Sequence, residues 1–257
     1  MSTGQYRITI LNNGDWATHG SVMYDPAYSA PEDVRIAQNF FLLQAHGTNI
    51  LVDTGIDTAL TEYTSAQQRQ RLDLNTPHRS TVDLLAEVGI EPADIDVLIL
   101  THLHFDHYLN ARLFPRATIV VNRLEYLHML LPENAPVLPR SSYPREVFAW
   151  LVDQAWDRLE LTEGDQQILP GLQVLWTGGH TPGHQIVQVD TADGVVIIPG
   201  DEVYLYDHVE NLKPIGNHYD LMRHLEALRR IKALNAIVLP AHDIDVRHRH
   251  PDGRVGW

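Results

Sequence analysis

The run Thr101-His102-Leu103-His104-Phe105-Asp106-His107 places three imidazoles and a carboxylate within six residues, directly after the apolar stretch Val97-Leu98-Ile99-Leu100. A short apolar run of β-branched and aliphatic residues reads as a buried strand, so the histidines fall on the turn that leaves it. Imidazole nitrogen and carboxylate oxygen are ligands that Zn²⁺, Fe²⁺, Mn²⁺ and Co²⁺ all accept. On such a turn His102 and His104 face one point. Asp106 and His107 face a second, at the separation of about 3.5 to 4 Å usual for a two-metal hydrolytic centre. The competing reading is an accidental cluster, or a helix cap, in a chain with fifteen histidines.

Residues far downstream weigh against accident. His180 lies in Trp176-Thr-Gly-Gly-His-Thr-Pro-Gly-His184, Asp201 in Ile197-Ile-Pro-Gly-Asp201, and His242 in Ile237-Val-Leu-Pro-Ala-His242, each after a short apolar segment. Strand ends converging on one edge of a sandwich can gather ligands distant in sequence and hold them on rigid elements. The expected arrangement gives His102, His104 and His180 to one metal and Asp106, His107 and His242 to the other, with Asp201 as the bridge.

This pattern, HxHxDH followed by a distant His, an Asp and a last His, resembles the metallo-β-lactamase superfamily from Asp53-Thr-Gly55 through His242. Within that superfamily the wording is similar to the N-acyl homoserine lactone lactonases, which share HLHFDH, the bridging Asp and a Tyr three residues after it, here Tyr204. The resemblance implies an α/β fold, an αββα four-layer sandwich of two mixed sheets with helices outside. It implies two divalent cations, Zn²⁺ by default with Fe, Mn or Co as alternatives. It also implies opening of a lactone ring by a metal-bridging hydroxide, with Asp106 as ligand and proton shuttle and the Tyr204 hydroxyl supporting the oxyanion. Where those lactonases commonly continue DHAGG, this chain reads Asp106-His-Tyr-Leu-Asn110, which implies a bulkier site floor. A thioester, amide or phosphodiester hydrolase on the same centre therefore stays open, as does an iron-dependent oxidoreductase, although His104 stands where the flavin-linked diiron type carries a carboxylate.

Composition narrows the classes further. With 257 residues and 44% hydrophobic content the chain can build one large core, and no stretch reads as a linker, so one domain over 1–257 is expected. There is no cysteine, hence no disulfide framework and no thiolate ligand. A formal charge of −14 repels polyanions, which argues against a nucleic-acid partner and for a small-molecule lactone or ester. Of the two basic groupings, Arg229-Arg230 and Arg247-His-Arg-His250, the second reads as a solvated tail. The opening MSTGQYRITI has neither a basic segment nor an apolar stretch, so a cytoplasmic protein without a membrane partner is expected, with a symmetric homodimer as the base-rate assembly.

Pattern places strands near 5–11, 39–45, 49–53, 96–100, 117–121, 172–176, 185–190, 194–198 and 236–240. Helices are expected over 81–88, between Ser80 as N-cap and Gly89 as terminator, and over 123–131, 148–159 and 219–234, with an irregular excursion over 132–144. Among side chains without a ligand role, Asp53 is read as orienting an imidazole or shaping its turn, His184 as forming a turn hydrogen bond or filling a strand end, and Phe105 as a pocket wall. Tyr143, Phe148, Trp150 and Trp156 fit either an acyl-chain pocket, a lid or dimer contact, or an amphipathic helix lying on the sandwich.

Overall fold

The computed structural model describes residues 5–56, 78–138 and 142–257. Its strands are β1 (Arg7–His19), β2 (Asp33–Ala45), β3 (Thr48–Val52), β4 (Val97–Ile99), β5 (Thr118–Asn122), β6 (Leu159–Thr162), β7 (Gln166–Leu169), β8 (Leu172–Trp176), β9 (Gln185–Thr191), β10 (Gly194–Ile198), β11 (Ile237–Val238) and β12 (Arg254–Val255). They form a seven-stranded sheet in the order β12-β1-β2-β3-β4-β5-β6 and a five-stranded sheet in the order β11-β10-β9-β8-β7. Both are mixed. Pairing is parallel from β3 to β6 and between β10 and β11, and antiparallel elsewhere.

The layering follows from side-chain alternation along strands that are buried on both faces. Phe41 and Leu43 of β2, Ile50 and Val52 of β3, and Val120 of β5 meet Val174, Val187, Val196 and Ile198 of the other sheet. The alternate residues Phe40, Leu42, Leu51, Ile119 and Val121 turn to the opposite face and join Leu84, Leu85, Val147 and Leu151 of the helices Thr81–Glu87 and Arg145–Asp153. Behind the five-stranded sheet, Leu175, Ile186 and Ile197 pack on Leu228 and Ile231 of the helix Leu221–Ala233. Three apolar seams thus separate four layers, helix, sheet, sheet and helix. Each fully buried Leu, Ile, Val or Phe contributes about 1.5–3 kcal/mol.

Ser80 caps the helix Thr81–Glu87 by accepting from Asp83 N at 3.0 Å, and Gly89 ends it at φ +75°. The strands β1 and β2 run well past the expected bounds, because Asn12 to Asp15 is a bulge within a continuing ladder and does not end it. The helix expected over 148–159 is instead Arg145–Asp153, followed by a 3₁₀ turn Trp156–Arg158 and by β6, whose parallel pairing with β5 over a long sequence gap outweighs the helical spacing of Ala155 and Leu159. Of the 132–144 stretch, Pro132–Val137 is a 3₁₀ helix and 139–141 lie outside the described residues. The Arg247–His250 segment is solvent-exposed, as expected, but it is tied down and not a loose tail. Arg247 grips the fully buried Asp15 with two contacts of 2.9 and 2.8 Å, Arg249 stacks 3.6 Å over the Tyr206 ring, and β12 beyond them pairs with β1. A buried carboxylate needs cationic partners, and the tail supplies one of them beside Arg35 of β2, 3.0 Å from Asp15. No helix among the described residues is long and apolar enough to cross a membrane.

Candidate metal centre

The C-terminal ends of β3, β4, β10 and β11, and the loop leaving β8, open on one edge of the sandwich. From them come Asp53, His102 to His107, Asp201, His242 and His180 respectively. All seven residues expected as ligands meet there. His102, His104, His180 and Asp201 form one group and Asp106, His107 and His242 a second, each with its ligand atoms within 4.8 Å of one another. Asp201 spans both. Its Oδ1 lies 3.0 Å from His107 Nε2 and from His242 Nε2, while Oδ2 lies 3.5 Å from His102 Nε2 and 3.2 Å from His180 Nε2.

The tautomers follow from what each ring touches on its far side. His107 Nδ1 faces Asp53 Oδ2 at 2.8 Å, His180 Nδ1 faces Asn217 O at 2.7 Å, and His242 Nδ1 faces Ala37 O at 3.0 Å. These partners only accept, so each Nδ1 carries the proton and donates. The Thr101 hydroxyl gives its hydrogen to Asp53 and accepts from His102 Nδ1 at 3.0 Å. Four Nε2 atoms are thereby turned inward, His107 and His242 onto Asp201 Oδ1 and His102 and His180 onto His104 Nδ1, 2.9 Å from each. The Asp201 contact leaves the buried His107 Nε2 without a well-aligned hydrogen bond. A buried cluster so rich in inward-facing acceptors is costly unless protons or cations fill it, and this N/O donor set suits divalent metals.

The electrostatics of the site show the same pressure. Burial and neighbouring imidazoles push His102 and His104 well below the usual histidine range. Against the opposing effect of burial, His107, His242, His102 and His180 hold the Asp201 carboxyl well below its usual range, and Asp201, Asp106 and Asp53 hold His107 well above its own. Burial pushes the Asp106 carboxyl up.

Other expected residues divide by what they touch. Asp53, at φ +59°, accepts from Thr101 N at 2.8 Å as well as from His107, so it ties two strand ends together. His184 is not among the grouped ligands. Burial pushes its ring down to about 3, its Nδ1 donates to Thr177 Oγ1 at 3.0 Å, and its Nε2 accepts from Asp201 N at 3.1 Å, fixing the bridging residue's backbone. Gly200 permits this approach, since it sits at φ +49° and a Cβ there would lie 2.8 Å from His184 Nε2.

The Tyr204 ring stands 5.4 Å from His242 and 5.8 Å from His180, and burial with Asp201 and Asp106 nearby keeps its phenol protonated far above the usual range. Tyr204, Asp106, Asp201 and His242 share a cavity of about 200 Å³ with Trp16, Val22, Met23, Ile36, Phe105 and Asn217. Tyr108, Leu109 and Asn110 do not floor it. Tyr108 is buried and donates to Pro144 O at 2.6 Å, Leu109 is in the core, and Asn110 binds Thr54 O and Thr81 Oγ1, because the helix Phe105–Tyr108 turns them away from the imidazole cluster. Of the aromatic stretch, Tyr143 lies 4.7 Å from the His104 ring, Phe148 packs on Tyr126, Trp150 stacks under Arg158, and Trp156 is exposed. Sequence reading missed Trp16 and Asn217 in the cavity wall, and the buried carboxylates Glu125 and Glu202 behind the loops. Single polar or aromatic residues on distant elements leave no local pattern.

The family model described as the metallo-beta-lactamase superfamily matches residues 33–242. The chain is 30% identical over 218 residues to N-acyl homoserine lactonase AiiA of Bacillus thuringiensis subsp. kurstaki, covering 80% of each, and 28% identical over 225 residues to N-acyl homoserine lactonase AttM of Rhizobium radiobacter, covering 83% and 84%. A solved N-acyl homoserine lactone hydrolase, with the product N-hexanoyl-L-homoserine bound at its catalytic metal center, superposes with a TM-score of 0.75 at 25% identity over 96% of both chains.

Proposed function

This chain belongs to the metallo-beta-lactamase superfamily, and from that premise we propose that it is a metal-dependent hydrolase that opens the lactone ring of N-acyl homoserine lactones or related lactones. In this reading residues 1–257 act as one hydrolase domain. His102, His104 and His180 would hold one cation and Asp106, His107 and His242 another, with Asp201 facing both sets. Zinc is the expected metal for such N/O sets. When bound, the cations supply an activated water near neutral pH and a Lewis acid for the ester carbonyl.

The chain's own residues do the rest. Tyr204 donates its hydroxyl hydrogen to the carbonyl oxygen as negative charge gathers there, and its burial keeps that hydrogen in place at neutral pH. The proton released by the added water passes to Asp106. When the ring C–O bond breaks, Asp106 returns it to the departing alkoxide, so lactone plus water becomes hydroxy acid. Trp16, Val22, Met23, Ile36 and Phe105 give the cavity an apolar wall suited to an N-acyl chain.

The observation that carries this reading is the convergence of Tyr204, Asp106 and Asp201 on one small cavity beside the imidazole cluster. A panel of N-acyl homoserine lactones, simple γ-lactones, thioesters and phosphodiesters, run with protein of measured metal content, tests it. Ring opening of lactones ahead of the other classes is expected. Metal-replete protein that opens none of the lactones overturns the reading.

A further inference from the structure

We propose that Glu202 and His224 form a buried positioning pair that holds His180, and with it the first cation site, in place. The inference rests on the reading that His180 is a metal ligand. Both side chains are fully buried, and neither lines the cavity. His224 lies on the helix Leu221–Ala233, which the Asp220 side chain caps by accepting from Met222 N and Arg223 N.

The hydrogen bonds close into a ring around His180. Glu202 Oε1 accepts from Gly179 N at 2.9 Å and from His180 N at 3.1 Å, fixing the ligand's backbone. Glu202 Oε2 lies 2.6 Å from His224 Nδ1, and His224 Nε2 accepts from Ile215 N at 3.1 Å. Because Nε2 accepts, Nδ1 must carry the hydrogen, so the contact is a donation to a carboxylate of the strong, charge-assisted kind. Ile215 anchors the segment whose Asn217 O receives the His180 Nδ1 hydrogen at 2.7 Å. One carboxylate thus sets the backbone of His180, and through one imidazole it sets the acceptor that orients the same residue's ring. Gly179 makes the approach possible, since a Cβ there would stand 2.6 Å from His224 Cα and 2.8 Å from Glu202 Oε1. Partners that orient metal-bound histidines in this way typically hold about ten- to a hundredfold of metal affinity.

The test is a Co²⁺ titration of metal-stripped protein followed by absorbance, with elemental analysis and thermal melts alongside. Variants are Glu202→Ala, the volume-conserving Glu202→Gln, His224→Leu, His224→Gln and the double Glu202→Ala/His224→Leu. In the native chain two equivalents bind; their absence would refute the metal-ligand reading itself, separately from this proposal. In Glu202→Ala and His224→Leu one equivalent is expected to weaken by about ten- to a hundredfold while the other stays within about threefold. The double variant should be no worse than the worse single, since the pair acts as a unit. His224→Gln should recover most of the loss, because its amide both donates and accepts. Two equivalents of native affinity in Glu202→Ala, Glu202→Gln and His224→Leu would overturn the proposal. So would equal weakening of both sites in proportion to lost thermal stability, which marks general structural support.

Discussion

Replacing Tyr204 by Phe removes one oxygen and leaves the ring. The aromatic body is buried, packs edge-on against His180, and is tilted against His242 at 5.4 Å. Those contacts survive, so the imidazole cluster keeps its shape and elemental content should match the native protein. Loss of a buried hydroxyl and its Asn217 partner costs about 1 kcal/mol of stability. The catalytic cost is larger, because the hydroxyl is a donor in a water-poor cavity aimed at developing charge. One preorganised oxyanion donor is worth about 2.7–4 kcal/mol, or roughly 10²–10³ in rate. With a Lewis acid sharing the same oxygen, the lower end is expected, about a hundredfold in kcat with a smaller change in KM. The assay is proton release on a homoserine lactone series of increasing acyl length, with metal content measured on the same samples. If metal-replete Tyr204→Phe kept kcat/KM within about threefold of native on every lactone, the hydroxyl would have no part in the transition state.

Asp106→Asn should lose about 10²–10⁴ in kcat by removing the proton carrier, and elemental analysis should show weakened occupancy of one cation. Asp53→Asn, which leaves His107 Nδ1 and Thr101 N without their shared carboxylate, should weaken metal binding by about ten- to a hundredfold in competition with a chelator. Chelation of the native protein should lower its melting temperature by about 5–10 °C for each cation site at which the free metal had stood about a hundredfold above its Kd. His208 is buried and neutral, its ring pushed down to about 4 by burial, whereas the unfolded chain titrates near 6.5. Its contribution is therefore full above about pH 6.5 and is lost as pH falls toward 4, by about 3 kcal/mol at most; urea denaturation of His208→Gln should show a flatter profile over that window.

The site was legible to the extent that its chemistry is local or repeats one local rule. His102 to His107 are contiguous, and His180, Asp201 and His242 each follow an apolar strand, so residue type and position together pointed to them. The long apolar stretch of β2 was visible for the same reason, since a strand buried on both faces carries no polar alternation. What escaped depends on pairing across the chain. β6 is four residues whose spacing continues a helical pattern, and only its parallel partner β5 decides the matter. Arg247 reads as a solvated cation until Asp15, buried in the bulge of β1, is seen to require it. Tyr108, Leu109 and Asn110 follow the metal motif directly, yet a single turn of helix carries them into the core, so sequence adjacency misplaced them in the cavity.

The charge around the site gives a reason for cations that does not depend on any motif. Asp53, Asp106, Glu125, Asp201 and Glu202 are all buried, and among the described residues no ion pair joins any of them to a lysine or arginine. Their partners are imidazoles, the Thr101 hydroxyl on Asp53, or backbone amides such as Leu103 N and Gly183 N on Glu125. Five formal negative charges held in a low-dielectric interior are costly without compensation. In the proposed centre two divalent cations would bring four positive charges, offsetting most of that set. That balance would account for the acidic layer of Asp53, Glu125 and Glu202 behind the expected ligands. Exchange of Asp53, Glu125 or Glu202 for a neutral residue should therefore weaken cation binding even where the seven ligands keep their positions.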